Sequence, residues 1–242
     1  MSIKPISPWM VELAGHKFDL QELSNLNLEP TISITEEANR FYLRADEFNV
    51  CTEARDVLNR GTEILKVING IGQLEIQNWQ TINVCGVARD ESNGTRSQFL
   101  FAEPAIVRAK VSANLTVNKV DGTVITSRPR SSIEPFLRIA KKESNVNKAL
   151  RIYGTREHNW VNLYIIYEII ESDVGGKSVI INNGWGSQPK IEKFKHTANS
   201  VGAVGDDARH GKENTHPPTS PMSLSDAKDM IRGMLKQCVQ AK

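Results

Sequence analysis

Much of what gives a chain an obvious role is missing from this one. Its 30 lysines and arginines are nearly matched by 28 acidic residues, which leaves a formal charge of +2. The broad basic field with which dedicated duplex-DNA binders gather phosphate is therefore absent. Contact with RNA through a local patch stays open. Cysteine is scarce and odd in number: Cys51, Cys85 and Cys238 lie far apart and lack metal-ligand spacing. That argues against a disulfide framework and for free thiols in a reducing compartment. Long hydrophobic runs are lacking too. The most apolar stretch, Trp160 to Ile170, is interrupted by Asn162 and Glu168 and falls well short of the ~20 residues a membrane-crossing helix needs. Met1 to Lys17 contains two prolines and no continuous apolar core of the signal-peptide kind. The expectation is a cytoplasmic protein with no membrane partner.

What is present is an ordinary globular balance, 39% hydrophobic and 24% charged over 242 residues, enough for one large or two small domains. Thr31 to Thr35 alternates, and Phe41, Leu43 and Ala45 alternate with Tyr42, Arg44 and Asp46, so residues 31 to 48 read as strands. From Thr52 to about Ile71 the period becomes helical, on Ala54, Val57, Leu58, Ile64, Leu65 and Ile68. Glu53 and Asp56 suit the positive end of that helix. Strand signals return at Thr81 to Ala88, Ser97 to Phe101 and Ala105 to Val117, with turn signals at Asp90 to Gly94 and at Asp121-Gly122. This half contains no Gly-rich phosphate loop, no triad spacing and no internal repeat.

Ser127 to Ser132 reads as a linker, and beyond it the strand signal largely disappears. Phe136, Leu137 and Ala140 begin a helix that resumes at Val146 and runs to Tyr153. A second covers about Asn159 to Glu171, with Trp160, Leu163, Tyr164, Tyr167 and Ile170 on one face, and Gly175-Gly176 stops it. A third spans Gln188 to Asn199. The fourth runs from Ser223 to about Val239, opened by Pro221 and a Ser223/Asp226 pair that resembles a capping box. The expected fold is α+β: an α+β domain over residues 1–130 with mostly antiparallel strands, then an antiparallel helical bundle over 131–242.

Polar residues concentrate between the third and fourth of these helices: His196, Asn199, Asp206, Asp207, Arg209, His210, Lys212, Glu213, Asn214 and His216. Three of the chain's five histidines fall in this stretch. A solvated connector is one explanation; a loop carrying function on a rigid frame is the other. With Arg209-His210-Gly211-Lys212-Glu213-Asn214-Thr215-His216 ahead of its last helix, residues 131–242 resemble a HEPN domain (higher eukaryotes and prokaryotes nucleotide-binding). Ala208-Arg209-His210-Gly211 is similar to the wording of ApeA-like members. The resemblance makes Arg209 the motif arginine and His216 the motif histidine; in a second register His210 takes that role. It implies a metal-independent endoribonuclease, in a toxin or phage-defence setting, that works as a homodimer without a cofactor. RNA would be the substrate, and residues 1–130 would sense a trigger or hold an activator or partner protein. A non-catalytic dimerisation or nucleotide-binding module is the alternative.

The chemistry is coherent. Cutting RNA without metal needs a base for the 2′-hydroxyl proton and an acid for the leaving 5′-oxygen, and histidine suits both near neutral pH. A guanidinium supplies a fixed charge with planar donors for the crowded phosphate. Lys212 and Asn214 are the candidate substrate contacts, and Asp206 a candidate supporting group. Glu168, a carboxylate on an otherwise apolar helix, wants a partner: either it is simply exposed on the thin polar face, or it orients Arg209 from inside the bundle, which would explain a buried acid there.

Three rival assignments compete. Asp206 and His210, four apart, would share a helix face and hold a metal with His196 or His216, as in a hydrolytic centre. Arg151 and His158 repeat the Arg…His spacing. Tyr164, Tyr167 and Trp160 would stack on bases, although at helical spacing such residues are more often core. His16 and His158 read as local contacts or caps.

Overall fold

A computed structural model of the protein describes residues 7–26, 28, 30–101, 133–210 and 216–242. The chain is a mixed α+β structure. It opens with strand β1 (Trp9–Ala14) and helix α1 (Lys17–Ser24), followed by the hairpin β2 (Ile32–Glu37) and β3 (Arg40–Ala45). Ala38 and Asn39 turn that hairpin with φ of 50° and 63°, the two-residue geometry whose twist matches the strands. A 3-10 turn, Asp46–Val50, leads into α2 (Ala54–Glu75), and then β4 (Asn83–Asp90) and β5 (Arg96–Phe99) close the sheet. Among the described residues five strands run in the order β2-β3-β1-β4-β5, and every pairing between them is antiparallel. The expected strands at 31–35, 41–45, 81–88 and 97–101 are all found, with ends shifted by a residue or two. The loop at Asp90 to Gly94 is a hairpin, with Gly94 at φ 82°. The expected strand at Ala105 to Val117, the turn at Asp121-Gly122 and the linker Ser127 to Ser132 lie outside the described residues.

The central strand β1 was not legible in the sequence. Trp9, Met10, Val11 and Leu13 are all buried, and in such a strand the alternation that marks a half-exposed one is lost. Trp9, Val11 and Leu13 join the main core, whereas Met10 packs with Tyr42 and Ala88 on the other face. Above Tyr42 and Met10's face, charge closes a ring across the strands. Arg44 reaches Glu37 and Asp90 at 3.3 and 3.1 Å, and Arg96 reaches Asp90 and Glu37 at 2.6 and 2.8 Å. Arg96 also rests over the Tyr42 ring, 5.0 Å from its centre.

Helix α2 lies on the opposite face and is most deeply buried from Ile64 to Leu74. Glycine makes that possible. A Cβ on Gly61 would press into Val11 of β1, and one on Gly72 would enter the Trp79 ring. Asn69 bolts the helix to the chain that enters β4. Its amide oxygen accepts from Ile82 N–H at 2.9 Å and Trp79 Nε1 at 3.1 Å, while its nitrogen donates to the Ile82 carbonyl at 2.8 Å.

The remaining helices follow as α3 (Ile133–Lys142), α4 (Ser144–Thr155), α5 (Trp160–Asp173), α6 (Lys177–Asn182), α7 (Gln188–Ala198), α8 (Val201–Val204) and α9 (Leu224–Gln240). The expected first helix is two, broken at Glu143 where the backbone turns extended. The short α6 and α8 carry too few turns to show a period. Asn159 caps α5 by accepting from Asn162 N–H at 3.0 Å, and Gly175 and Gly176 end it at φ 88° and 123°. Ser223 caps α9 by accepting from Asp226 N–H at 3.0 Å, and its hydroxyl donates to the Asp226 carboxylate at 2.7 Å. The α4 helix crosses α2 where Gly70 faces Leu150 and Gly154 faces Gly70 backbone to backbone. Arg232 of α9 then closes the end of α2, donating from Nε and Nη2 to Leu74 O at 3.1 and 2.8 Å. One apolar core consequently runs from Val11 and Leu43 in the sheet, through Ile64 and Ile71, to Leu150, Tyr167 and Leu235. The segments before and after residue 130 both contribute to it.

Gly70→Ala, which would drive a methyl into the Leu150 carbonyl, is expected to destabilise the protein by about 3 kcal/mol. Urea unfolding measures this; an unchanged midpoint would mean the helices separate freely. The charged ring generates a second expectation. Against the upward push of burial, the guanidinium hydrogen bonds hold the Glu37 and Asp90 carboxyls below their ordinary range. Their contribution is complete above the ordinary carboxylate value of ~4 and drains away as pH falls through the lower folded value. Thermal midpoints between pH 7 and 3 should fall more steeply for the wild type than for Glu37→Gln, and equal slopes would remove the ring from the stability of the sheet.

Candidate functional site

The frame of the site is the seam between α5 and α7. Trp160, Tyr164 and Tyr167 of α5 surround Phe194 of α7, with ring centres 6.1, 5.7 and 5.9 Å from it. All four are buried, so these aromatics are core and their faces are not open to bases. After α8 the chain makes a 3-10 turn, Gly205–Asp207, and doubles back. Arg209 N–H donates to the Ala198 carbonyl at 2.9 Å, which pins the connector to the end of α7.

This brings three of the expected site residues together. The Arg209 guanidinium lies 4.2 Å from the centre of the Tyr164 ring, a cation over an aromatic face. Its Nη2 donates to Glu168 Oε1 at 2.7 Å, and its Nη1 stands 3.2 Å from His210 Nε2. Guanidinium nitrogens only donate, so in this contact the imidazole is the acceptor, through Nε2. The expected pairing of Glu168 with Arg209 is present. Of the two readings of Glu168, the exposed one holds for its position: the Glu168 side chain is 43% exposed and that of Arg209 28%. The carboxylate sits at the rim of α5, one turn beyond Tyr164, and needs no buried partner to explain it.

The other expected residues are placed differently. His216 is exposed, and its main chain is what the fold engages: its carbonyl accepts from His196 Nε2 at 2.7 Å. Residues 216–223 are not helical, and α9 starts only at Leu224, so Arg209 and His216 both precede the last helix. Lys212 and Asn214 lie outside the described residues. Asp206 is exposed in its 3-10 turn. That turn also undoes the premise of a metal site, because Asp206 and His210 are not one α-helical turn apart. Among the described residues no three His, Cys, Asp or Glu side chains gather to hold an ion. The alternative Arg151…His158 pair serves the fold. Arg151 pairs with Glu63 of α2, and His158 binds the Tyr153 carbonyl at 2.8 Å and stacks on its ring, centres 4.2 Å apart.

One residue of this seam carries no signal in the sequence. Lys195 of α7 holds its ammonium 5.3 Å from the centre of the Tyr167 ring. Tyr167 donates its hydroxyl to Glu171 at 2.8 Å, and burial, then that carboxylate, push the phenol well above its usual range. A lysine among the several of α7 looks like ordinary surface until the ring it covers is known.

Compared with family models, with curated proteins and with solved structures, the chain matches none of them. Among the described residues no helix is long and apolar enough to cross a membrane.

Half-exposed ion pairs contribute little to stability. Glu168→Gln is therefore expected to cost less than about 1 kcal/mol, whereas Phe194→Ala, which empties the seam, should cost about 3–5 kcal/mol. Denaturant melts compare the two directly, and a large loss for Glu168→Gln would make the pair structural.

Proposed function

We propose that the chain is a metal-independent endoribonuclease of HEPN type, with Arg209 and His210 as reacting groups and Glu168 as the residue that positions the arginine. The observation that carries this is the guanidinium itself, held by Glu168 and the Tyr164 face while its free edge lies 3.2 Å from the His210 imidazole. A fixed cation beside a neutral imidazole is the minimal apparatus for cutting RNA through its own 2′-hydroxyl. A phosphodiester oxygen that accepts from Nη1 displaces His210 Nε2, which is then bare and able to take the 2′-hydroxyl proton. The 2′-oxygen attacks phosphorus, the bond to the 5′-oxygen breaks, and that oxygen leaves with a proton from an acid. His216, or a histidine of a second copy, supplies the acid in this reading. The products are a 2′,3′-cyclic phosphate and a free 5′-hydroxyl, with no cofactor consumed.

The homodimer, the contacts from Lys212 and Asn214, the toxin or phage-defence setting and an activator held through residues 1–130 all rest on the family resemblance alone. The second reading is a non-catalytic nucleotide-binding or dimerisation module. It is favoured by one observation: Glu168 already balances the charge of Arg209, which a structural connector would also want.

The deciding experiment is incubation of the purified protein with labelled RNA in EDTA, beside Arg209→Ala, His210→Ala and His216→Ala. Fragments with 2′,3′-cyclic ends, reduced at least about 100-fold by Arg209→Ala and His210→Ala, are the expected result. Equal cleavage by the arginine variant would remove this site from the chemistry. Cleavage only with added divalent metal would instead favour a metal-dependent hydrolase.

A further inference from the structure

Two tyrosines one turn apart on α5 are each covered by a cation from outside the helix: Tyr164 by Arg209 at 4.2 Å and Tyr167 by Lys195 at 5.3 Å. The rings are 6.1 Å apart, centre to centre. Each tyrosine has a glutamate four residues on, and there the two units differ. Glu168 takes the guanidinium of Arg209. Glu171 instead takes the Tyr167 hydroxyl, and among the described residues no carboxylate pairs with Lys195. One cation of the seam thus has a carboxylate partner, while its neighbour, at a half-buried position, has none among the described residues.

We infer that Lys195 is a second phosphate-binding cation of the Arg209 site, and that the pair engages a polynucleotide strand rather than a single nucleotide. This deepens the ribonuclease reading and rests on it. An ammonium is a compact charge that needs no planar match to its anion. Resting it on a ring face limits its freedom without satisfying its donors. Lys195 also lies in the last turn of α7 with His196, where the helix end favours positive charge. The ring and the helix end hold the ammonium in place yet leave its hydrogen-bonding capacity for a phosphate. Arg209 grips the phosphate that reacts, and Lys195 grips one beside it on the same strand. A mononucleotide, with its phosphate at one position only, gains nothing from the second cation.

The test is binding of a fluorescently labelled 2′-O-methyl oligoribonucleotide, which the proposed chemistry cannot cut, followed by anisotropy over a range of salt concentrations. Lys195→Gln is compared with Lys195→Arg, with the wild type and with Lys228→Gln, an exposed lysine of α9. For single strands each phosphate contact contributes about 0.7 to the slope of log K against log salt. Lys195→Gln should bind more weakly with a slope shallower by about 0.7. Lys195→Arg should restore the slope, Lys228→Gln should leave it alone, and affinity for a mononucleotide should be the same in all four. A wild type that binds, with a slope that Lys195→Gln leaves untouched, overturns the inference and spares the ribonuclease reading. A wild type that does not bind the strand overturns both. A thermal midpoint lowered in Lys195→Gln with no change of slope would make the lysine a packing residue only.

Discussion

Everything in this structure hangs on how closely backbone can approach backbone along α2. Gly61 lets the helix lie on Val11 of the central strand, and Gly70 lets α4 cross it against Gly154 and the Leu150 carbonyl. A glycine inside a helix costs about 1 kcal/mol relative to alanine, so three of them in one helix are an expense that only tight packing offsets. What the packing gains is a single core. With side chains at those positions, the sheet and the helices would be pushed apart and each would leave an apolar face uncovered. Asn69 and Arg232 complete the arrangement by satisfying polar groups at the far end of the same helix, the first at Ile82 and Trp79, the second at Leu74.

From that crossing the order of parts passes outward. The α4 helix is fixed by α2, α5 packs on α4, and α7 closes over α5 through Phe194. The connector is the last layer, and Arg209 on it is held by a backbone hydrogen bond to Ala198, an ion pair with Glu168 and the Tyr164 ring face. A rigid interior with an adaptable charged rim is the usual division between scaffold and function. The ion pair at the rim is partly exposed and contributes little to stability beside the aromatic seam beneath it.

The legible parts of the sequence were those whose residue types carry a period or a cap. The β2–β3 hairpin shows alternation, α5 and α9 show a buried stripe, and both helices carry side-chain caps at Asn159 and Ser223. A strand whose residues do not alternate, and elements too short for a period, were not legible. Strand β1 is buried on both faces, α1 is eight residues long, and α6 and α8 are shorter still. At the candidate site the grouping of Arg209 with His210, and the need of Glu168 for a partner, could be read from residue type and position. The main-chain role of His216 and the presence of Lys195 could not. Each depends on which surface another segment covers.

By itself, then, the sequence determined the α+β class, the antiparallel hairpins, the main helices and the polar connector, because periodicity and capping are local properties of neighbouring residues. Only the tertiary structure decided that one core joins both halves, and that Arg209 rests on Tyr164 beside His210. It likewise decided that Arg151 and His158 are spent on the fold. Those facts turn on contacts between residues far apart in the chain, such as Gly70 with Gly154 and Glu168 with Arg209, where spacing along the chain carries no record of distance in space.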